Sequence, residues 1–170
     1  MKSGLILFLG LLSMANPVHV SNSFHLTVHA PLERAALLFG PDGERCWAGS
    51  HWNPEFLYPQ PGKDTQGAVF TIQHGPHTVV WVNTLFNPAE GRMQYVYLIP
   101  ERLVSIVDVQ LSSRNPSTTR VEVTYARTAL NAAANDDVQA MGKSDRDSGP
   151  EWQQAIERCL ADNTDAPHRS

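Results

Sequence analysis

Five strand-like segments follow one another so closely between residues 67 and 130 that they limit the chain to few folds. Each is rich in β-branched and aromatic residues, and short stretches containing Gly, Pro, Asn or Ser separate them. Connections this short join antiparallel neighbours, because a parallel pair needs a crossover of about a dozen residues or more. The pattern therefore predicts an antiparallel sheet, with strands at residues 67–74, 77–86, 92–100, 103–112 and 118–130.

A further strand and a short helix are predicted before this run. Residues 23–31 alternate apolar and polar side chains, which is typical of a half-buried strand. Residues 31–39 begin with Pro31, carry Glu33 in the first turn, and show apolar residues at helical spacing.

The chain ends in a strongly amphipathic helix at residues 148–163. Trp152, Ile156, Cys159 and Leu160 belong to one apolar stripe of this helix. Residues 131–142 are weakly helical, and residues 143–149 are predicted to be a polar break. A curved sheet needs a cover for its apolar face, and the stripe supplies one. We therefore predict an α+β fold, in which about six antiparallel strands wrap around a long C-terminal helix, with one or two short helices after the first strand.

Residues 39–62 form an aromatic segment with no helical or strand period. The segment holds two Trp, two Phe and one Tyr beside four Pro and four Gly. Two interpretations stay open: it is a lid over one end of the space under the last helix, or a small hydrophobic cluster that closes the core.

The first residues are typical of an export signal. Lys2 precedes an apolar run at residues 5–12, and the small residues Ser13 and Ala15 follow. We predict a signal peptide or leader over residues 1–21, a domain over residues 22–162, and a disordered tail over residues 163–170. Export to the periplasm or medium is expected, whereas translation from Met14 would leave the protein in the cytoplasm. No second apolar run is long enough to span a membrane after signal removal.

Cys46 and Cys159 are the two cysteines of the chain. They would be able to pair in an exported protein, closing a long loop. We expect instead that each is a small buried apolar residue.

Charge and composition limit the classes of partner that the protein is expected to bind. The chain has a net charge of −4 and no cluster of Lys or Arg, so a nucleic-acid partner is not expected. Acidic residues gather in the last third and are predicted to form a solvated face. They are Asp136, Asp137, Asp145, Asp147, Glu151, Glu157, Asp162 and Asp165.

Three stretches resemble the SRPBCC superfamily: "FHLTVHAPLERA" near the start, "GERCWA" with "WNPEFL" in the aromatic segment, and "TRVEVTYARTAL" before the last helix. The superfamily includes START lipid-binding domains, polyketide cyclase-like proteins and homologues of the activator of Hsp90 ATPase. The resemblance covers residues 22–162 and implies the helix-grip fold, with a cavity between the sheet and the C-terminal helix.

The chain lacks the sequence motifs of a nucleophile elbow, a phosphate-binding loop, a dinucleotide site and a zinc helix. His74 and His77 flank a Gly-Pro turn and are interpreted as an exposed hairpin rather than a metal pair. Asp145 and Asp147 are interpreted as part of the break before the last helix, not as a calcium loop. We therefore predict no catalytic residue, no metal and no cofactor.

Seven side chains are candidates to line the cavity that the resemblance implies. Aromatic rings with a few polar groups are typical of ligand pockets. The alternative is that the rings fill a core without a cavity. Asp108 and Glu122 are predicted to face solvent, because their neighbours in the strand are apolar. The candidates are His51, Trp52, Trp81, Tyr95, Tyr97, Tyr125 and Trp152.

Three functions follow as hypotheses. The first is non-catalytic binding of a small apolar or amphipathic ligand. The second is a cyclase- or hydratase-like enzyme that uses His51 with a tyrosine such as Tyr95. The third is a chaperone-associated regulator similar to the Hsp90 activators. Oligomeric state is not predicted. In all three, Trp152 should be largely buried, whereas Gln153 should lie on the wet face of the helix.

Overall fold

A computed structural model describes residues 16–75 and 77–164 of the chain, and its strands form one antiparallel sheet. The order across the sheet is β1-β7-β6-β5-β4-β3-β2, so the first and last strands of the chain are neighbours. The strands are β1 His19–Val28, β2 Glu55–Tyr58, β3 Val69–His74, β4 His77–Asn87, β5 Arg92–Ile99, β6 Leu103–Asn115 and β7 Thr118–Ala129.

Three α-helices accompany the sheet in the described part of the chain. They are α1 Leu32–Ala36, α2 Asn135–Asp147 and α3 Gly149–Thr164. Short 3₁₀ turns occupy Leu37–Phe39, Gly43–Cys46, Pro88–Glu90 and Ala132–Ala134. The helix-grip architecture predicted from the sequence is confirmed, with seven strands where about six were expected.

Alternation along β6 shows how the sheet acquires an inner face. Val107, Val109 and Leu111 are buried, whereas Ile106 and Gln110 at the alternate positions are exposed. Side chains on a strand alternate between the two faces, so one face forms the core while the other meets water. Asp108 and Glu122 lie on the outer face as predicted, and the Asp108 carboxylate accepts a hydrogen bond from Gln94.

The extra strand β2 lies inside the aromatic segment that was predicted to be irregular. Three of its four residues pair in register with β3 at the edge of the sheet, and Tyr58 is 62% exposed. A strand this short, flanked by Pro54 and Pro59, is too brief for an alternating pattern to emerge.

The predicted polar break at residues 143–149 was wrong. Helix α2 continues to Asp147, and only Ser148 separates it from α3. Tertiary contacts account for the helix, because Asp145 pairs with Arg127 and Arg146 donates a hydrogen bond to Asn22. Such contacts override the weak local propensity of a polar sequence.

Two glycines let the helices approach β1 closely. A Cβ atom at Gly142 would lie 2.9 Å from side-chain atoms of Val20 and Asn22, and one at Gly149 would lie 2.8 Å from the His25 carbonyl oxygen. Any larger residue would push α2 and α3 away from the sheet.

The cysteines correct another expectation. Cys46 and Cys159 form a disulfide, with Cα atoms 5.6 Å apart across a separation of 113 residues. Neither is therefore the free apolar residue that was expected. Their separation in sequence gave no signal that the fold brings them together. The bridge ties the aromatic segment to α3.

The predicted signal peptide falls mainly on residues 1–15, outside the described residues, and residues 165–170 of the predicted tail do too. Within the described ranges, none of the helices has the length and apolar character needed to cross a membrane.

Candidate functional site

A cavity of about 480 Å³ lies between the inner face of the sheet, the aromatic segment and α3. Strands β3 to β7 each contribute side chains to its lining, and α2 contributes Met141 and Ser144. Helix α3 contributes Glu151, Trp152 and Ala155.

Two cross-strand rows form the sheet side of the cavity. In the first row, Tyr97 lies opposite Trp81 on one side and Ser105 on the other, and Ser105 lies opposite Arg127. In the second row, Val107 lies between Tyr95 and Tyr125. Residues paired directly across antiparallel strands point to the same face, and every member of the two rows except Ser105 lines the cavity.

Stacked and edge-on rings build two aromatic walls. The ring of Trp81 stacks on Tyr97 at a centroid distance of 4.2 Å, and Trp52 meets Trp81 edge-on at 5.3 Å. On the other side, Trp47 lies 4.8 Å from Trp152, which in turn meets Tyr125 edge-on at 6.5 Å. The three longer spacings lie within the range of about 4.5–7 Å that aromatic pairs prefer, and the Trp81–Tyr97 stack is slightly closer.

Hydrogen bonds hold the aromatic segment in place over the cavity. The Trp47 indole Nε1 donates to the Leu38 carbonyl at 2.7 Å, and the Trp52 Nε1 donates to the Pro41 carbonyl at 2.9 Å. Trp47 belongs to the buried core and also lines the cavity. Both earlier interpretations therefore describe part of the segment, which closes the core and covers the cavity.

A buried ion pair lies at the polar end of the first row. Nε and Nη2 of Arg127 each donate to the Asp145 carboxylate at 2.7 Å, in a two-pronged arrangement. Nη1 donates to the hydroxyls of Tyr97 and Ser105, and the guanidinium lies 4.4 Å from the ring centroid of Tyr125. The pair joins β7 to α2, and such geometry satisfies a buried charge.

The expectation that Asp145 belongs to a solvated acidic face was therefore wrong, since it is 6% exposed. Sequence reasoning also missed Arg127. A signal for it existed, because Arg127 shares the strand parity of Val121 and Val123, which are buried. A charged residue on the inner parity of a strand needs a buried partner.

Glu44 is the other functional candidate that sequence reasoning missed. It lies in the 3₁₀ turn Gly43–Cys46 and lines the cavity. Desolvation raises the pKa of its carboxyl well above the ordinary value, and the nearby charge of Asp64 raises it further. A turn inside an irregular segment has no period, so no pattern indicated where this side chain points.

The tyrosines near Glu44 are held neutral. The Tyr95 hydroxyl donates to the Phe39 carbonyl, and burial raises the Tyr95 pKa well above its ordinary value, with a further contribution from Glu44. Burial also raises the pKa of Tyr125, and Glu44 adds to that shift too. Because the Tyr95 proton is committed to a backbone carbonyl, Tyr95 is poorly placed to exchange it with a substrate.

All seven sequence-predicted side chains lie in the lining of this cavity: His51, Trp52, Trp81, Tyr95, Tyr97, Tyr125 and Trp152. That they contact a ligand stays a prediction.

The stripe of α3 behaves differently from the expectation. Trp152 is partly rather than largely buried, because one side of its ring faces the cavity. Ile156, Cys159 and Leu160 are buried in the core and are not part of the cavity lining. Gln153 is half-buried, and its side-chain oxygen accepts a hydrogen bond from the Thr27 amide at 3.0 Å.

His74 and His77 close the hairpin between β3 and β4, where they pair in register. His74 also reaches the cavity lining. Across the described ranges, no group of three or more His, Cys, Asp or Glu side chains is placed to hold a metal ion.

Solved structures share this fold at low sequence identity. Norcoclaurine synthase from Thalictrum flavum, in complex with dopamine and hydroxybenzaldehyde, is similar with a TM-score of 0.63 and 11% identity, over 100% of this chain and 99% of that chain. Ara h 8.0201 is similar with a TM-score of 0.62 and 14% identity, over 85% of this chain and 99% of that chain. A putative uncharacterized protein from Rhizobium leguminosarum has a TM-score of 0.61 and 14% identity, over 84% of this chain and 97% of that chain. These similarities establish the fold alone.

No protein-family model matches the chain, and no curated protein matches its sequence.

Proposed function

We propose that this protein binds a small apolar or amphipathic molecule in the cavity between its sheet and α3, without transforming it. The observation that carries the proposal is the cavity itself, whose volume of about 480 Å³ falls within the range of roughly 300–1,000 Å³ typical of ligand sites. A native core has few voids larger than a water molecule, so a space of this size is not a packing defect.

The lining supports the same proposal. Large aromatic rings supply apolar area, while Glu44 and the Tyr125 hydroxyl supply a few polar groups. The structure of norcoclaurine synthase, which has the same fold, holds dopamine and hydroxybenzaldehyde. Small aromatic molecules are therefore suitable first probes.

We propose that the site is not catalytic because its main polar groups already make hydrogen bonds within the protein. The nitrogens of Arg127 and the proton of Tyr95 are engaged in hydrogen bonds within the protein. No hydrogen bond joins His51 to Tyr95 in the described part of the chain, so the pair lacks the contact that a proton relay requires.

The experiment uses N-phenyl-1-naphthylamine, a neutral fluorescent probe, together with native mass spectrometry of protein incubated with a lipid extract. Saturable probe fluorescence and a bound species of unchanged mass are expected. A bound species whose mass changes on incubation would favour the enzyme alternative. If neither probe nor extract yields a complex, the binding proposal is wrong.

A matched pair of variants locates the site. Ala155→Phe places a ring in the cavity, and Ala161→Phe places the same ring on the exposed side of α3. The first should weaken probe binding about tenfold or more, because it fills space that the ligand needs, and the second should leave it unchanged. Equal effects would place the probe elsewhere.

We further propose that the chain belongs to the SRPBCC superfamily and acts outside the cytosol. The Cys46–Cys159 disulfide supports export, because disulfides persist in oxidising compartments. Cell fractionation, with thiol labelling before and after reduction, tests this. Reduced protein in the cytosolic fraction would contradict it and would revive the alternative of a start at Met14 and a chaperone partner.

A further inference from the structure

We propose that the cavity selects a ligand with a positively charged ammonium group on an apolar body, and that the Glu44 carboxylate is its counterion. This inference rests on the proposed binding function and names the chemical class of the ligand. It is argued from the charges that line the cavity, the rings that surround them, and the partners that each charge already has.

The one arginine of the lining is not available to an anionic ligand. All three nitrogens of Arg127 already donate hydrogen bonds, to the Asp145 carboxylate and to the hydroxyls of Tyr97 and Ser105. Asp145 also neutralises its charge at 2.7 Å. A ligand carboxylate would have to break this network to gain a cationic partner.

Glu44, in contrast, has no such partner. Among the described residues, no ion pair and no side-chain hydrogen bond engages its carboxylate. Glu44 lines the same cavity as Tyr95 and Tyr125, which lie on the strands on either side of β6. An acid that lines the cavity without a cationic partner can take a ligand cation as its counterion.

Aromatic faces around the cavity suit the same ligand. Trp47 follows Glu44 by one helical turn and lies against Trp152, while Trp52, Trp81 and Tyr97 form the opposite wall. A cation over an indole or phenol face is attracted by the ring quadrupole, most strongly where water is excluded. The unpaired acid and the surrounding aromatic walls together favour a monocation over a neutral or anionic ligand.

The remaining charged and titratable groups agree in sign. On the acidic side, Glu151 of α3 lines the cavity and Asp64 acts directly on Glu44. The groups that face Glu44 or share its cavity are Asp64, Glu151, His51, His74, Tyr95, Tyr97, Tyr125 and the Arg127–Asp145 pair. Apart from the paired Arg127, the basic side chains of this set are His51 and His74.

Three probes of matched size test the inference by calorimetry: 2-(1-naphthyl)ethylamine, 2-(1-naphthyl)ethanol and 1-naphthylacetate. At pH 7.5 the ammonium probe should bind about tenfold more tightly than the alcohol, and the carboxylate should bind most weakly. Glu44→Gln should bring the ammonium within about twofold of the alcohol. The exposed control Glu90→Gln should leave the order unchanged.

A pH series adds a signature that a merely structural role would not produce. Burial raises the Glu44 pKa above its ordinary value, so the protonated form persists to higher pH than in a solvated glutamate. A bound cation favours the ionised form, so ammonium affinity should rise from pH 5 to pH 8. Glu44→Gln should flatten this rise, because the amide side chain does not ionise.

The outcomes separate the two proposals. If all three probes bind with similar affinity, or if the ammonium preference survives in Glu44→Gln, the charge inference is wrong and the binding function stands. If none of the three probes binds, the charge inference and the binding function are both wrong. Retained alcohol binding in Glu44→Gln shows that the variant is folded and that its lost preference is specific.

Discussion

The buried ion pair between Arg127 and Asp145 yields the sharpest prediction for stability. Asp145→Asn keeps the shape of the side chain but removes the charge, and it turns one acceptor towards Arg127 into an N–H donor. The guanidinium would then remain 6% exposed without a counterion. An uncompensated buried charge is among the few single changes that destabilise a domain severely.

The expected loss in the free energy of unfolding is about 3–5 kcal/mol, the range seen when one partner of a buried pair is removed. A domain of this size has about 5–15 kcal/mol in total, so the variant would approach the limit of folding at ambient temperature. With an m-value of about 2 kcal/mol per M, the urea midpoint should fall by about 2 M.

Urea unfolding followed by tryptophan fluorescence measures this, with the disulfide kept oxidised. Asp147→Asn is the matched control, because Asp147 lies two residues further along α2 and is exposed. Its midpoint should stay within about 0.3 M of the parent. If the two variants gave the same midpoint, the pair would not be buried and the link between β7 and α2 would be wrong.

A double variant separates charge burial from packing. Arg127→Met with Asp145→Leu removes both charges and retains apolar volume, so it should recover most of the stability lost by Asp145→Asn. If the double variant is as unstable as the single one, the loss comes from packing around α2.

Three further outcomes follow from contacts at the cavity. Trp152→Ala should lower the free energy of unfolding in urea by about 3 kcal/mol, at the low end for a lost indole because the ring already faces the cavity. The control Gln154→Ala, at an exposed position, should lower it by almost nothing. Equal losses would contradict the packing of α3. Reducing Cys46–Cys159 should lower stability by about 2–4 kcal/mol, measured with and without dithiothreitol, and no change would argue against a native bridge. Glu44→Gln should stabilise the protein at neutral pH, because an acid whose pKa is raised by folding destabilises the fold once the pH exceeds its unfolded pKa of 4.5. The gain in the free energy of unfolding should vanish below that pH. A gain that persists there would refute the burial of Glu44.

The architecture was predictable because it depends on patterns that repeat along the chain. Strands β3 to β7 were located within a few residues, since each combines β-forming residues with a turn on either side. The cavity residues Trp81, Tyr97 and Tyr125 were identified because they lie on those strands. A regular element fixes the direction of a side chain once its register is known.

The roles that the sequence did not predict have a different physical origin. Asp145, Glu44 and the two cysteines acquire their roles from partners that are distant in sequence, such as Cys46 and Cys159 across 113 residues. Local propensity then indicates the wrong environment, as it did for the polar end of α2. Arg127 is the exception, because its strand parity alone would have placed it inside.

Two cross-links brace the walls of the cavity. A void in a core normally costs stability in proportion to its volume, and the surrounding elements relax inward to reduce it. Here the Arg127–Asp145 pair fixes α2 to β7, and the disulfide fixes the aromatic segment to α3. Both links join elements that form the walls of the cavity, so they should restrain those walls from relaxing inward. Binding should therefore add stability by mass action, with the logarithm of ligand concentration above the dissociation constant, and should not be required for the fold.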